Sequence, residues 1–530
     1  MDNYKHFGVM LDCSRNAVMK VCEIKRMINY LQKMGYNTLE LYTEDTYEIQ
    51  DEPYFGYLRG RYTSAEIKEI DAYATAHGIE VIPCVQTLAH FTALVRNGAY
   101  NSIVDYNDIL LIDDNKTYEL IDKIFATLAE NFTSRLVNIG MDEAHMVGLG
   151  KYLDKHGYVN RFELLVNHLN KVVEIAKKYG FQPHMWSDMF FRLASKGEYY
   201  NPQINIPPQI KNAVPKDVAL TYWDYYHDDT TFYNAMLDKH LEFEREVWFA
   251  GGAYTWHGFA PLNGFSLKVM KPAMESVRQK QIRNVLITMW GDNGKECSFF
   301  ALLPALYAIR QYADGNTDEE KIKSGFYQLF GVSYDDFMLL DIPNKLAIDD
   351  LTMSNPVKCL LYTDPFMGIM DKTLETVPMI PYAEFVEALR NTAKQAKEFS
   401  YIFDALSKLC DVLALKAYLG IKTRNAYRQG DNRALKMLIN EYTALLSRLE
   451  SFHEAFYILW HKENKPQGWE IQDARLGGLM MRIKTCAKRL QAYVSGTLEQ
   501  IDELEEKLLL QNPYLISNKY SDLISRSLLD

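Results

Sequence analysis

At 530 residues the chain exceeds one ordinary hydrophobic core and has room for two domains, one of them a large barrel. Hydrophobic residues make up 48% and charged residues 24%, the balance of a globular chain, and a net charge of −11 argues against nucleic acid or anionic lipid as the main partner. The opening "MDNYKHFGVMLDCSRNA" has no basic segment leading into a long apolar one, and no run of 18 apolar residues follows. A cytoplasmic chain without a membrane span is therefore expected, and seven cysteines without CxxC spacing point to reduced thiols.

Over the first 313 residues short apolar runs alternate with amphipathic stretches. The spacing predicts strands at Phe7–Leu11, Thr38–Tyr42, Glu80–Val85, Leu136–Gly140, Gln182–Trp186, Ala219–Trp223, Val247–Ala250 and Val285–Trp290. Between the first two, Ala17, Val21, Ile24, Ile28, Leu31 and Met34 recur at helical spacing, and Gly35 offers a left-handed cap. Further helices fit Ser64–His77, Tyr118–Asn131, Arg161–Tyr179 and Leu267–Gln281. Eight strands alternating with helices predict a (β/α)8 TIM barrel over residues 1–316. A doubly wound open sheet is the alternative, but it would carry a glycine-rich phosphate loop after the first strand, and "LDCSRNAV" is not one.

Strand signals vanish from about Tyr382, and an all-helical C-terminal domain is expected over residues 317–530. Leu435, Leu438, Tyr442, Leu445, Leu449, Phe452, Phe456 and Leu459 keep an unbroken 3-4 spacing, the pattern of a helix packed in a bundle or against a second copy in a homodimer. Pro466 and Gly468 break the pattern before another helix.

Barrel enzymes carry their chemistry where strands run out into the following loops. Those ends hold, in order, Arg15, Asp45, His90, Asp142-Glu143, Trp186-Ser187-Asp188, Trp223, Tyr254-Thr255-Trp256 and Trp290-Gly291-Asp292. Singly, each has a bland reading: a rim tryptophan packs, a lone histidine is a hydrogen-bonded core residue, and adjacent acids such as Asp113-Asp114 recur by chance. Four tryptophans converging on one mouth, Trp186, Trp223, Trp256 and Trp290, suit the stacking wall of a sugar pocket. His90, His145, His184 and His257 raise the question of zinc, but no HxH or HExxH spacing supports it, and no GxSxG nucleophile elbow occurs.

The ordered set "GVMLDCSRNAV", "LELYTED", "CVQTLAH", "VNIGMDEAH", "HMWSDMF", "YWDYY", "GGAYTW" and "ITMWGDNG" resembles glycoside hydrolase family 20, the β-N-acetylhexosaminidases, across residues 5 to 313. It departs in having Phe7-Gly8 before the first Leu-Asp, Glu44-Asp45 where an aspartate pair is usual, and Trp290-Gly291-Asp292 in place of Trp-Gly-Glu. With no α/β domain ahead of the barrel, the resemblance is to a short intracellular, bacterial-type subclass.

The resemblance implies Glu143 as general acid/base, Asp142 as the carboxylate orienting the 2-acetamido group, and Tyr254 as hydrogen-bond donor to its carbonyl. Trp186, Trp223, Trp256 and Trp290 would wall the sugar, Arg15 and Asp292 would hold its hydroxyls, and Asp45 and His90 would support the acid. The family is one that uses the substrate's own amide as nucleophile, through an oxazolinium ion. The expected activity is exo hydrolysis of terminal β-linked GlcNAc or GalNAc from an oligosaccharide or glycoside, with no metal or organic cofactor. A carbohydrate-binding protein without catalysis on the same scaffold, or a metal-dependent barrel hydrolase, are the alternatives.

Overall fold

The computed structural model describes residues 4–256, 258–346, 351–353, 355–511, 513–516 and 519–527. Eight parallel strands close into a barrel: His6–Asp12, Thr38–Tyr42, Glu80–Cys84, Leu136–Asn138, Gln182–Trp186, Ala219–Trp223, Val247–Gly252 and Asn284–Met289. Neighbours follow chain order, and the first strand seals the ring by pairing with both the second and the eighth, Val9 standing beside Leu39 and Ile287. All eight strands lie where the apolar runs predict them, three with the same bounds and five with ends shifted by one or two residues. The fourth stops at Asn138 because the chain leaves the ladder there in a left-handed turn, with Gly140 at φ +70° and Met141 at φ +69°. No side chain fits at Gly140: a Cβ would stand 2.1 Å from Gln86 Oε1 and 2.9 Å from the Val85 carbonyl.

Strand alternation sorts the side chains into two cores. Met10, Tyr42, Ile82, Cys84, Trp186, Trp248, Ala250 and Leu286 point inward and fill the barrel, while the alternate positions pack beneath the helices. The lumen also brings Glu40 Oε1 within 2.9 Å of His184 Nε2, with His184 stacked on Trp248 at 4.5 Å.

Two helices differ from the spacing for reasons supplied by the rest of the chain. The first begins at Val21 rather than Ala17, because the residues before it are tied to the C-terminal region: Lys20 N–H donates to the Glu463 carbonyl and Lys465 N–H to the Val18 carbonyl. The helix expected from Leu267 begins at Asn263, because Asp341 caps it, its carboxylate accepting from Asn263 N at 2.9 Å and Gly264 N at 2.7 Å.

After the eighth strand the described residues are mostly helical. Three long helices, Ser400–Lys416, Asn432–Glu463 and Trp469–Val494, pack together. The apolar stripe from Leu435 to Leu459 is buried within this chain. Phe452 and Phe456 reach Phe259 of a barrel loop, at 5.6 and 5.4 Å between ring centroids. Of the two readings of the stripe, packing within the chain accounts for its burial: its apolar side is covered without a second copy. Among the described residues no helix is long and apolar enough to cross a membrane.

Candidate active site

The strand-to-helix loops line an open cavity of about 540 Å³, the solvent space at its mouth included, at the C-terminal end of the barrel. Of the residues expected there, Arg15, His90, Asp142, Glu143, Trp186, Trp223, Trp256, Trp290 and Asp292 line it. Asp45 and Tyr254 do not, and Tyr225 and Tyr226 complete the wall.

The adjacent acids diverge. Asp142 points inward, 12% exposed at its side chain, while the Glu143 side chain is 44% exposed at the cavity. Gln86 Nε2 donates to Asp142 Oδ1 at 2.8 Å, and His90 Nε2 lies 3.1 Å from Asp142 Oδ2. Burial works against the charge on Asp142, but the His90 charge and these contacts outweigh it and lower its pKa. Burial likewise disfavours charge on His90, yet Asp142 prevails and raises it to about 9. The same imidazole nitrogen lies 3.9 Å from Glu143 Oε2, so His90 stands between the two carboxylates as a cation.

Glu143 sits at φ +50°, and its backbone N–H is held by Asp188 Oδ2 at 3.1 Å. Asp188 is fully buried and also accepts from Arg192 Nε at 3.1 Å. Burial, with Asp142 adding to it and Arg192 opposing, pushes the Asp188 carboxyl up to about 7. Asp188 thus lies behind Glu143, away from the cavity.

Arg15 Nη2 meets Glu44 Oε1 at 3.2 Å, and Tyr42 Oη donates to the same oxygen at 2.9 Å. Asp45 turns the other way and pairs with Arg59 at 3.3 Å. Both acids lie in the turn past the strand end at Tyr42, with Glu44 at φ +36°, so the turn and not strand alternation sets the two side chains apart. Asp292 lines the cavity near Arg15, with burial raising it to about 6 against the pull of that guanidinium. Asp12 braces this side, accepting from Ser14 N at 2.9 Å and from Gly291 N at 2.9 Å.

The aromatic wall is continuous. Trp186 and Trp290 lie 6.0 Å apart, and Trp223 stacks on Tyr225 at 5.5 Å. Trp290 Nε1 donates to Tyr225 Oη at 3.1 Å, holding that hydroxyl at the cavity. Tyr254 lies beneath, stacked on Trp256 at 3.9 Å, with its own hydroxyl donated to the Tyr225 carbonyl at 2.6 Å. It therefore supports Tyr225 from below. The signal for Tyr225 was present in "YWDYY", where positions 219, 221, 223 and 225 share one phase.

The histidines scatter. His184 is in the barrel lumen, His145 borders Arg192 and Glu143, His90 joins the acids, and His257 lies outside the described residues. Among the described residues no three of His, Cys, Asp and Glu converge as a metal site.

A model described as "Glycosyl hydrolase family 20, catalytic domain" matches residues 4–237, and one described as "Glycoside Hydrolase 20C C-terminal domain" matches residues 335–519. A β-hexosaminidase of Vibrio furnissii is 30% identical, covering 26% of this chain and 29% of that protein. Hexosaminidase D of Bos taurus is 25% identical, covering 40% of this chain and 61% of that protein. A crystal structure of a family 20 exo β-N-acetylglucosaminidase from Vibrio harveyi, in complex with N-acetylglucosamine, is 17% identical over 62% of this chain and 58% of that one, with a TM-score of 0.46. The match thus spans less than two thirds of the length of each of these relatives. With one family model on the barrel and a second on the helices behind it, the chain belongs to glycoside hydrolase family 20.

Proposed function

We propose that this chain is an exo-acting β-N-acetylhexosaminidase that removes terminal β-linked GlcNAc or GalNAc with retention, using the substrate's acetamido oxygen as nucleophile. The observation that carries the reading is the divergence of two neighbouring carboxylates around one imidazolium. Asp142, buried and held ionised, suits an anion that orients the amide N–H and faces the positive charge of an oxazolinium ion. Glu143, half-exposed beside it, suits a group that gives a proton to the leaving oxygen and then takes one from water. Tyr225 takes the part expected of Tyr254, with its hydroxyl at the cavity and its orientation set by Trp290. The indoles form a wall on which the acetamido methyl can rest, with the carbonyl oxygen turned toward the anomeric carbon.

In this reading Arg15 and Asp292 face the terminal sugar's hydroxyls, residues 1–316 are the catalytic barrel, and residues 317–530 are a helical domain that braces it. The buried position of Asp188 leaves Asp292 as the rival nucleophile at the cavity. Progressive fluorination of the N-acetyl methyl separates the two mechanisms, because each fluorine weakens the amide oxygen while barely changing its size. With a good aryl leaving group the rate should fall at every step, and a thiazoline analogue of the cyclic intermediate should bind far more tightly than the product sugar. A flat series with chemistry rate-limiting, or a glycosyl ester trapped on Asp292, would overturn substrate assistance.

A further inference from the structure

Beside the catalytic cavity, and sharing Arg15 with it, a groove of about 850 Å³ runs between the barrel loops and the helical domain. Arg15, Arg59, Arg96 and Arg475 line it with a single acid, Glu44. In a chain of net charge −11 that is a local reversal of sign. The arginines are fixed unequally. Arg15 is paired with Glu44 at 3.2 Å and Arg59 with Asp45 at 3.3 Å. Arg475 shares Glu296 with the buried Lys358, at 3.0 and 2.9 Å, so that one carboxylate answers two cations. Arg96 is exposed, and among the described residues it has no ion-pair partner.

Two lining residues also carry buried N–H donors without an acceptor among the described residues, Arg15 Nε and Asn293 Nδ2. Asn293 is locked in place, its Oδ1 accepting from Arg475 Nη2 at 3.0 Å. Forked guanidinium donors match the oxygens of an oxyanion. Glu143, the proposed proton donor to the leaving group, comes from the fourth strand's end, whereas the groove opens past Arg15 at the first. The groove therefore extends the side of the pocket away from Glu143.

We infer that this groove is a subsite for an anionic substituent, a sulfate, phosphate or carboxylate, carried on a hydroxyl of the terminal N-acetylhexosamine. The inference rests on the hexosaminidase reading for the identity of the sugar. It also gives the helical domain a part in recognition, since Arg475 and Ile471 of the helix Trp469–Val494 form one wall.

Binding tests the subsite without requiring turnover. Titration calorimetry on the full chain compares N-acetylglucosamine with its 3-, 4- and 6-O-sulfates, its 6-phosphate and its 3-O-carboxymethyl ether. At low salt at least one anionic sugar should bind about tenfold or more tightly than the neutral one, the lower end for a charge-assisted hydrogen bond. The tightest of these arms names the substituent. High salt and Arg96→Glu should each reduce the advantage, and Arg96→Lys should keep part of it. If every anionic sugar binds no better than N-acetylglucosamine, or if the advantage survives Arg96→Glu intact, the subsite is wrong. Failure of the wild type to cleave 4-nitrophenyl β-N-acetylglucosaminide would instead remove the hydrolase reading and leave the binding result standing.

Discussion

His90 should be a cation at neutral pH, held so by Asp142. An imidazole in water loses its proton near 6.5, and His90 is raised to about 9 although it is buried. A gap of roughly 2.5 units corresponds to about 3 kcal/mol of net preference for the charged form. Asp142→Asn removes the charge that supplies this preference while leaving the burial and Arg15 in place. Both of those disfavour the imidazolium while Glu44 still favours it, so the His90 pKa in the variant should fall well below its wild-type value. Because the folded-state value lies above the unfolded one, the ion pair stabilises the fold fully below about pH 6.5, and this contribution is lost as pH rises through about 9. Asp142 has the opposite dependence. Its lowered pKa gives stability that is complete above about pH 4 and lost on acidification. The assay is the ring Cε1–H chemical shift of labelled histidine against pH, with His90→Gln picking the signal out of the 12 histidines. A His90 that titrates at or below 6.5 in the wild type, or one that Asp142→Asn does not move, would refute the coupling.

Glu143→Gln should fold normally and lose on the order of 10²–10⁴ in kcat on a natural disaccharide, with a smaller loss on an aryl glycoside whose leaving group needs no proton; near-wild-type disaccharide turnover would refute its role. Tyr225→Phe should lower kcat more than KM is raised, whereas Tyr254→Phe should act mainly on stability, costing about 0.5–1.5 kcal/mol for its hydrogen bond to the Tyr225 carbonyl. The reverse ranking in paired kinetics and thermal melts would restore Tyr254 to the cavity. Leu445→Ala should destabilise the helical domain by about 2–5 kcal/mol, and its melting temperature should not depend on protein concentration, because the stripe is covered within one chain. A concentration-dependent transition would show a second copy at that face.

The barrel was legible because each strand is a short apolar run between helical repeats, and closure of eight such units follows from their number. Most of the mouth followed with it, since a residue just beyond a strand end reaches the same face whatever the loop does next. His90, Asp142, Glu143 and the tryptophans all lie there. Asp45 and Tyr254, which do not line the cavity, show where position in the chain ceases to be enough. Glu44 and Asp45 lie in a turn past the end of their strand, with Glu44 at φ +36°, so strand phase does not separate them. Nor can it separate Tyr225 from Tyr254, whose positions both follow the inward phase of their strands. There the decision is tertiary, because Trp290 Nε1 reaches Tyr225 Oη while the Tyr225 carbonyl takes the hydroxyl of Tyr254. The ionisation of the site has the same origin. Asp142, His90 and Asp188 come from three strand ends, and only burial at a common mouth makes their charges strong enough to shift one another. The apolar stripe from Leu435 to Leu459 marks the other limit: its spacing determines that a face must be covered, and folding decides that the cover is the chain's own helices and barrel loop.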